Sequence, residues 1–265
     1  MASLKDLFNL EGRTALVTGA CGNLGTVICE TISEQGGSLI ILDISGTEKF
    51  ASKLENKYKN NVTPIDIDFS KLELANKILK KKLKKFDNLN ILINNAAFVG
   101  TSNLKGWNTD FLNQNVDSWK SAFDVNLTAP FLITQICTPL LQKSEGSSII
   151  NVGSIYAHYG PDWKLYEGTK MGNPAAYASS KAGLVQFTKW LSTSLAPHIR
   201  ANSISPGGIY RNQDKKFIKK YQNKVPLQRM AKENDFKGII AFLACDASSY
   251  ITGQNIKIDG GYSAW

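Results

Sequence analysis

Short, largely apolar runs recur along the chain, and stretches with apolar residues at helical spacing separate them. Thr14–Thr18 (TALVT), Ser38–Asp43 (SLIILD), Val62–Ile67, Leu89–Asn94 (LNILIN), Ser147–Val152 (SSIINV) and Ile199–Ser203 read as strands, and Ile256–Ile258 adds a seventh. Helical patterns fall at 24–35, 47–60, 71–86, 116–143, 175–196 and 232–244. Continuous apolar strands are those buried on both faces, and strands alternating with helices imply a parallel sheet. Right-handed crossovers then wind helices onto both sides, an α/β doubly wound sandwich. No linker, repeat or low-complexity segment interrupts the alternation, so the expectation is a single domain over residues 1–265.

Composition narrows the class. The 265 residues are 43% hydrophobic and 20% charged, enough to build a core and too apolar for a disordered chain. Cys21, Cys29, Cys137 and Cys245 show no CxxC spacing, which argues against a zinc site or a disulfide scaffold and for reduced thiols. The first dozen residues lack the basic start and apolar run of a signal peptide, and no apolar stretch approaches a membrane span. The expected location is therefore cytoplasmic, with no membrane partner.

The net charge of +9 raises nucleic acid as a partner. The lysines cluster at Lys77–Lys85 (KILKKKLKK) and Lys215–Lys224 (KKFIKKYQNK). Ile78, Leu79 and Leu83 stand among them at helical spacing, the pattern of a solvated amphipathic helix. A solvated face is the preferred reading, with no nucleic-acid partner; the positive field still favours anionic substrates.

Candidate chemistry begins at Thr18–Gly25 (TGACGNLG), where the first strand turns into the first long helix. Glycines there let a backbone approach a pyrophosphate at a helix N-terminus. Asp43 ends the second strand, where a carboxylate can accept hydrogen bonds from an adenosine ribose and repel a 2′-phosphate. No Arg or Lys stands at 20–23 or directly after Asp43, so NAD is expected over NADP. Tyr177 and Lys181 lie one helical turn apart on one face. A neighbouring ammonium favours a phenolate, so the pair can serve as acid and base. Spacing alone reads more simply as an aromatic core residue before a surface lysine. Ser154 follows a strand end, as a hydrogen-bond donor to a carbonyl or as a strand-end cap. Asn126 is a polar break inside a helical stretch.

The ordered set of segments resembles the short-chain dehydrogenase/reductase family from Arg13 to Gly261. It comprises TGACGNLG, Asp68, Asn94-Asn95-Ala96-Ala97, Asn126 in DVNLTAPF, Ser154 in INVGS, Tyr177 to Lys181 (YASSK), Pro206-Gly207-Gly208 and SSYITGQNIKIDGG. The resemblance implies a Rossmann fold with a seven-stranded parallel sheet. It implies a homotetramer or homodimer acting on a small-molecule alcohol or ketone. Asn126, Ser154, Tyr177 and Lys181 become the catalytic set, with Asn126 holding a relay water. Gly19, Asn23, Leu24, Gly25, Asp43, Ile44, Asp68, Phe69, Asn95, Ala96, Tyr177, Lys181, Pro206, Gly207 and Ile209 become the cofactor contacts. Three positions depart from the family pattern. Asn23 stands where Gly is usual, and Asn tolerates left-handed backbone well enough to keep the loop's path. Ala97 replaces the last Gly of NNAG. Tyr210, Arg211 and Asn212 occupy a stretch that often holds Thr.

The separation of Ser154 from Tyr177 exceeds the family's usual one, and the extra residues form a loop at about 157–173. Its aromatics, Tyr159, Trp163 and Tyr166, suit a sugar ring or exclusion of water; subunit packing is the equal alternative. Ser154, Tyr156, Tyr166 and Tyr177 are the expected substrate contacts, and Gly100–Asn115 is a second segment beside the pocket. The stretch YEGTKMGNPAAYASSK more loosely resembles a subgroup linked to bacterial surface sugars such as flagellin glycans and nonulosonic acids. His158 is given no catalytic role. Trp190, Leu191, Leu195 and Tyr262–Trp265 are candidate subunit contacts. The expected function is NAD-dependent interconversion of a secondary alcohol and ketone on a sugar-like substrate. A 3-oxoacyl-thioester reductase and a non-catalytic NAD-binding regulator are the alternatives.

Overall fold

The computed structural model describes residues 2–99, 102 and 104–265. The seven strands are β1 (Thr14–Thr18), β2 (Ser38–Asp43), β3 (Val62–Asp66), β4 (Ile91–Asn94), β5 (Ser147–Val152), β6 (Ile199–Pro206) and β7 (Asn255–Ile258). They form one parallel sheet in the order β3-β2-β1-β4-β5-β6-β7. The order reverses between β1 and β4, which opens a crevice at the carboxyl ends of those strands.

The helices are α1 (Leu4–Leu7), α2 (Asn23–Glu34), α3 (Thr47–Tyr58), α4 (Leu72–Leu83), α5 (Val116–Phe123), α6 (Ala129–Leu141), α7 (Ala175–Ser194), α8 (Lys215–Lys224) and α9 (Lys237–Ala244). Side chains alternate across the strands, so each strand feeds two cores. Ala15, Val17, Leu39 and Ile41 pack with Ile28 and Ile32 of α2, Leu54 of α3 and Ile240 of α9. Leu16, Ile40 and Leu42 pack on the other face with Leu79 of α4, Ile133 and Cys137 of α6 and Leu191 of α7.

Several boundaries differ from the sequence reading. The expected helix over 116–143 is broken by a π turn at Asp124–Thr128, which carries Asn126, before α6 resumes with Pro130 in its first turn. Glu233–Phe236, read as helix, is a tight 3₁₀ turn leading into α9. The strand read as ending at Ser203 runs on to Pro206 because its last residues pair with β7. Lys215–Lys224 is a helix that the lysine run concealed, and its face is not wholly solvated: Phe217 and Tyr221 are buried. Leu191 and Tyr262 pack within the chain, while Trp190 and Trp265 remain exposed. Gly100, Thr101 and Asn103 of the expected pocket segment lie outside the described residues. Among the described residues, no helix is long and apolar enough to cross a membrane.

Candidate active site

β1 ends at Thr18, and the chain turns through Gly19 into α2. Gly19 has φ +63°, a left-handed conformation that glycine adopts without strain. Gly25 sits against it so closely that a Cβ there would lie 1.9 Å from the Gly19 carbonyl oxygen. Asn23 is already helical, with Gly22 as the N-cap. The left-handed tolerance invoked for Asn23 is therefore not needed, since Gly19 makes the unusual turn. The neighbouring strand locks this loop. Thr18 Oγ1 accepts from the Asn95 and Ala96 amides at 2.9 and 3.0 Å. Asn95 Nδ2 donates to the Thr18 and Gly19 carbonyls, both at 3.0 Å.

Asp43 closes the other side. One carboxylate oxygen accepts from the Cys21 amide at 2.8 Å and the other from the Ile44 amide at 2.7 Å. Each oxygen keeps lone-pair capacity for a ligand hydroxyl. Asp68 organises the next turn by accepting from the Ser70 amide and hydroxyl at 2.9 and 2.7 Å.

These elements border a cavity of about 910 Å³ that continues past the ends of β5 and β6. Gly19, Asn23, Leu24, Gly25, Asp43, Ile44, Asp68, Phe69, Asn95, Ala96, Pro206, Gly207 and Ile209 all line it, as do Ser154, Tyr177 and Lys181. The cradle fits a dinucleotide: a turn that a Cβ would block, a helix N-terminus and a carboxylate at the end of β2.

Ser154 stands directly beyond β5, nearly buried, and its Oγ accepts from the Tyr156 amide at 3.2 Å. Tyr177 is in the first turn of α7. Burial holds its phenol above the ordinary value, and the adjacent Ser154 hydroxyl opposes the rise. The expected lowering by a neighbouring ammonium is absent: burial raises the phenol, and the Ser154 hydroxyl is what opposes it. Lys181, one turn on, is 2% exposed and donates from Nζ to the Val152 carbonyl at 2.6 Å. Burial depresses its pKa from 10.5 to about 7.

Asn126 does not line the cavity. Its Oδ1 accepts from the Phe98 amide at 2.7 Å, and its Nδ2 donates to the Phe98 carbonyl and Ser180 Oγ, both at 3.1 Å. The side chain thus ties the segment after β4 to α7, and the π turn aims it there. Its amide protons are both engaged, so they are not free for a relay water.

The inserted loop divides in two. Tyr166, Met171, Gly172 and Asn173 line the cavity. The Tyr166 hydroxyl lies 2.6 Å from that of Tyr156, and the Tyr166 ring packs on Phe217 of α8 at 5.3 Å. Burial raises the pKa of both phenols, most strongly that of Tyr156. Tyr159 and His158 turn away, to Lys257 and Asn255. Trp163 is 58% exposed, stacked at a tilt outside Tyr166. Lysines of α8 clamp the loop from outside: Lys220 donates to the Lys164 and Glu167 carbonyls at 2.7 and 3.0 Å, and Lys224 pairs with Asp162.

Sequence reading missed Phe217, Tyr221 and Met230 as wall residues, although Phe217 and Tyr221 stand at helical spacing in the lysine run. It also missed Asn173, whose only signal is a polar residue before Pro174 at the start of α7. From the second expected segment, Ser102 and Asn108 reach the cavity, whereas Phe111 and Leu112 are exposed.

Known proteins share this architecture. A family profile described as enoyl-(acyl carrier protein) reductase matches residues 19–263. A 3-oxoacyl-[acyl-carrier-protein] reductase of Thermotoga maritima is 30% identical over 95% of this chain and 98% of its own. The post-translational flagellin modification protein A of Campylobacter coli is 28% identical over 96% and 99%. Among solved structures, the NADP complex of Pseudomonas aeruginosa RhlG superposes with a TM-score of 0.83 at 27% identity, covering 97% of this chain and 98% of that one. A profile match over almost the entire length, joined by relatives that align end to end, shows that the chain belongs to the short-chain dehydrogenase/reductase family of oxidoreductases.

Proposed function

We propose that the protein interconverts a secondary alcohol and a ketone on a polar, sugar-like small molecule, with NAD preferred over NADP. The observation that carries the reading is the convergence of Ser154, Tyr177 and Lys181 with Asp43 on one cavity. A nicotinamide cofactor, when bound, supplies or accepts the hydride. Gly19, Asn23, Leu24 and Gly25 hold its phosphates, Asp43 and Ile44 its adenosine end, and Tyr177, Lys181, Pro206, Gly207 and Ile209 its nicotinamide end. Asp68, Phe69, Asn95 and Ala96 complete the wall between.

Tyr177 takes the carbinol proton in oxidation and returns it in reduction. Ser154 donates a hydrogen bond to the same oxygen and keeps it beside the phenol. Lys181 charges within the working pH range, and its ammonium form stabilises the Tyr177 phenolate during turnover. Asn126 positions α7, and with it Tyr177 and Lys181, through its bonds to Phe98 and Ser180.

Asp43 supports NAD because its carboxylate opposes a 2′-phosphate, and the basic residues among the described cavity wall are Lys181 and Arg211 alone. Arg211 is paired with Glu233. Asp43→Ser should shift kcat/KM toward NADP by at least about tenfold, from a lost repulsion of about 1.4 kcal/mol. Unchanged preference contradicts the assignment. The Thermotoga relative favours a second reading, a 3-oxoacyl-thioester reductase; the Tyr156–Tyr166 hydroxyl pair at the substrate end opposes it, since the two hydroxyls bond each other through one proton and an acyl chain offers the second proton no acceptor. An intact Ser154, Tyr177 and Lys181 argues against a non-catalytic regulator. A homotetramer or homodimer in the cytoplasm completes the proposal. The exposed Trp190 on α7, stacked on Phe187 at 6.3 Å, supports a subunit contact there.

A further inference from the structure

Asn173 is 7% exposed, yet neither Nδ2 nor Oδ1 of its amide has a hydrogen-bond partner. Among the described residues it alone has both ends of a side-chain amide in that condition. A buried polar group without a partner is costly, and native chains rarely keep one without a use.

Its place in the fold supplies the use. Asn173 lines the cavity with Ser154, Tyr177, Tyr156 and Tyr166. It lies near the Tyr166 hydroxyl without the alignment of a hydrogen bond. Its backbone is fixed on both sides. Asn108 Nδ2 donates to the Lys170 carbonyl at 3.1 Å, the Met171 amide donates to Thr169 Oγ1 at 3.1 Å, and the Ala175 amide donates to Gln114 Oε1 at 3.0 Å. Pro174, the N-cap of α7, restricts Asn173 itself. Only the side-chain torsions remain free, and the terminal one is soft. A small rotation presents the amide to the cavity.

We infer that Asn173, with the Tyr156–Tyr166 pair, reads a second hydroxyl of the substrate beside the reacting carbinol. This rests on the proposed reaction at Ser154 and Tyr177. A carboxamide offers one donor and one acceptor group side by side, and a hydroxyl both accepts and donates. A methylene chain can satisfy neither, and a thioester carbonyl, which only accepts, leaves the amide oxygen without a donor. The subsite therefore selects polyhydroxylated substrates over simple ketones and acyl thioesters, by leaving the amide unpaired when the hydroxyl is missing.

The test compares reduction of 2-hydroxycyclohexanone and cyclohexanone with NADH and NADPH. The wild-type protein should prefer the hydroxyketone in kcat/KM by at least about tenfold, the scale of one hydrogen bond to a buried group. In Asn173→Leu that ratio should fall to about one, and the melting temperature should stay level or rise, because an unpaired buried amide has been removed. Tyr166→Phe keeps the packing on Phe217 and should reduce the ratio in the same direction. A wild-type ratio near one, a ratio unchanged in Asn173→Leu, or a lowered melting temperature in that variant overturns the inference while leaving the reaction standing. Silence toward both ketones, with NADH bound, overturns the reaction proposed at Ser154 and Tyr177 and the inference with it.

Discussion

At Tyr177 two influences oppose each other, and burial wins over the Ser154 hydroxyl. A phenol held high stays protonated near neutral pH, so it is available as the proton donor in reduction, whereas oxidation needs a cation close by to populate the phenolate. Tyr177→Phe should lower kcat by about 10²–10⁴-fold while cofactor binding, read by fluorescence titration, changes little. A variant with undiminished kcat removes Tyr177 from the chemistry. Lys181 makes a second, independent prediction. Its folded pKa of about 7 lies below the unfolded 10.5, so between those values the unfolded chain binds more protons. Lys181 by itself therefore adds stability as pH rises across that window, by up to about 1.4 kcal/mol per unit, and its burial penalty is complete below about 7. The buried thiols and phenols, whose raised pKa values act in the opposite sense at higher pH, are common to both proteins, so the difference in denaturant midpoint between the cofactor-free wild type and Lys181→Met should carry this slope. Equal slopes in both proteins would mean that Lys181 is not the buried base.

Elements explain which features could be read beforehand. The central strands and the parallel sheet were legible because β1, β2, β4 and β5 are short, fully or almost fully buried runs, whereas the end of β6 and the partly exposed β7 were blurred by their polar residues. The glycine turn was legible as chemistry, although not in detail: Gly19 bears the left-handed backbone, and the residue at 23 is helical. The π turn at Asp124–Thr128 left no trace, since its residues suit an α-helix, and only Asn126 hinted at an interruption. Lys215–Lys224 hid a helix because charge dominates its composition, while two rings one turn apart do its packing. Asn173 was invisible because a lone Asn before Pro is ordinary in sequence and unusual only once its burial is known. Gly25→Ala tests the turn as an element. Its Cβ would lie inside the Gly19 carbonyl, so the loop must shift. Cofactor affinity should fall at least about tenfold, with a lower melting temperature, and unaltered titration curves would show that the turn is not a cradle.

Over the whole molecule, one sheet brings residues far apart in sequence to a single crevice. α8 and the inserted loop roof its substrate end. Phe217→Ala should loosen that roof, raising KM more than it lowers kcat and reducing stability by about 3 kcal/mol. The surface charge that suggested nucleic acid is partly spent on this clamp, through Lys220 and Lys224. Trp190 should mark a subunit contact, so light scattering should give a multiple of the 29.1 kDa chain. Trp190→Glu should shift that mass downward. A monomer in the wild type would remove the assembly proposal.

The most direct measurement is reduced-nicotinamide formation by the purified protein over a panel of sugars, sugar acids and nucleotide sugars, run with NAD and with NADP. A 3-oxoacyl thioester, assayed in the reductive direction, belongs on the same plate. The account predicts NAD-preferring turnover of a polyhydroxylated compound that is lost in Tyr177→Phe. Turnover of the thioester alone, or any turnover that survives in Tyr177→Phe, contradicts it.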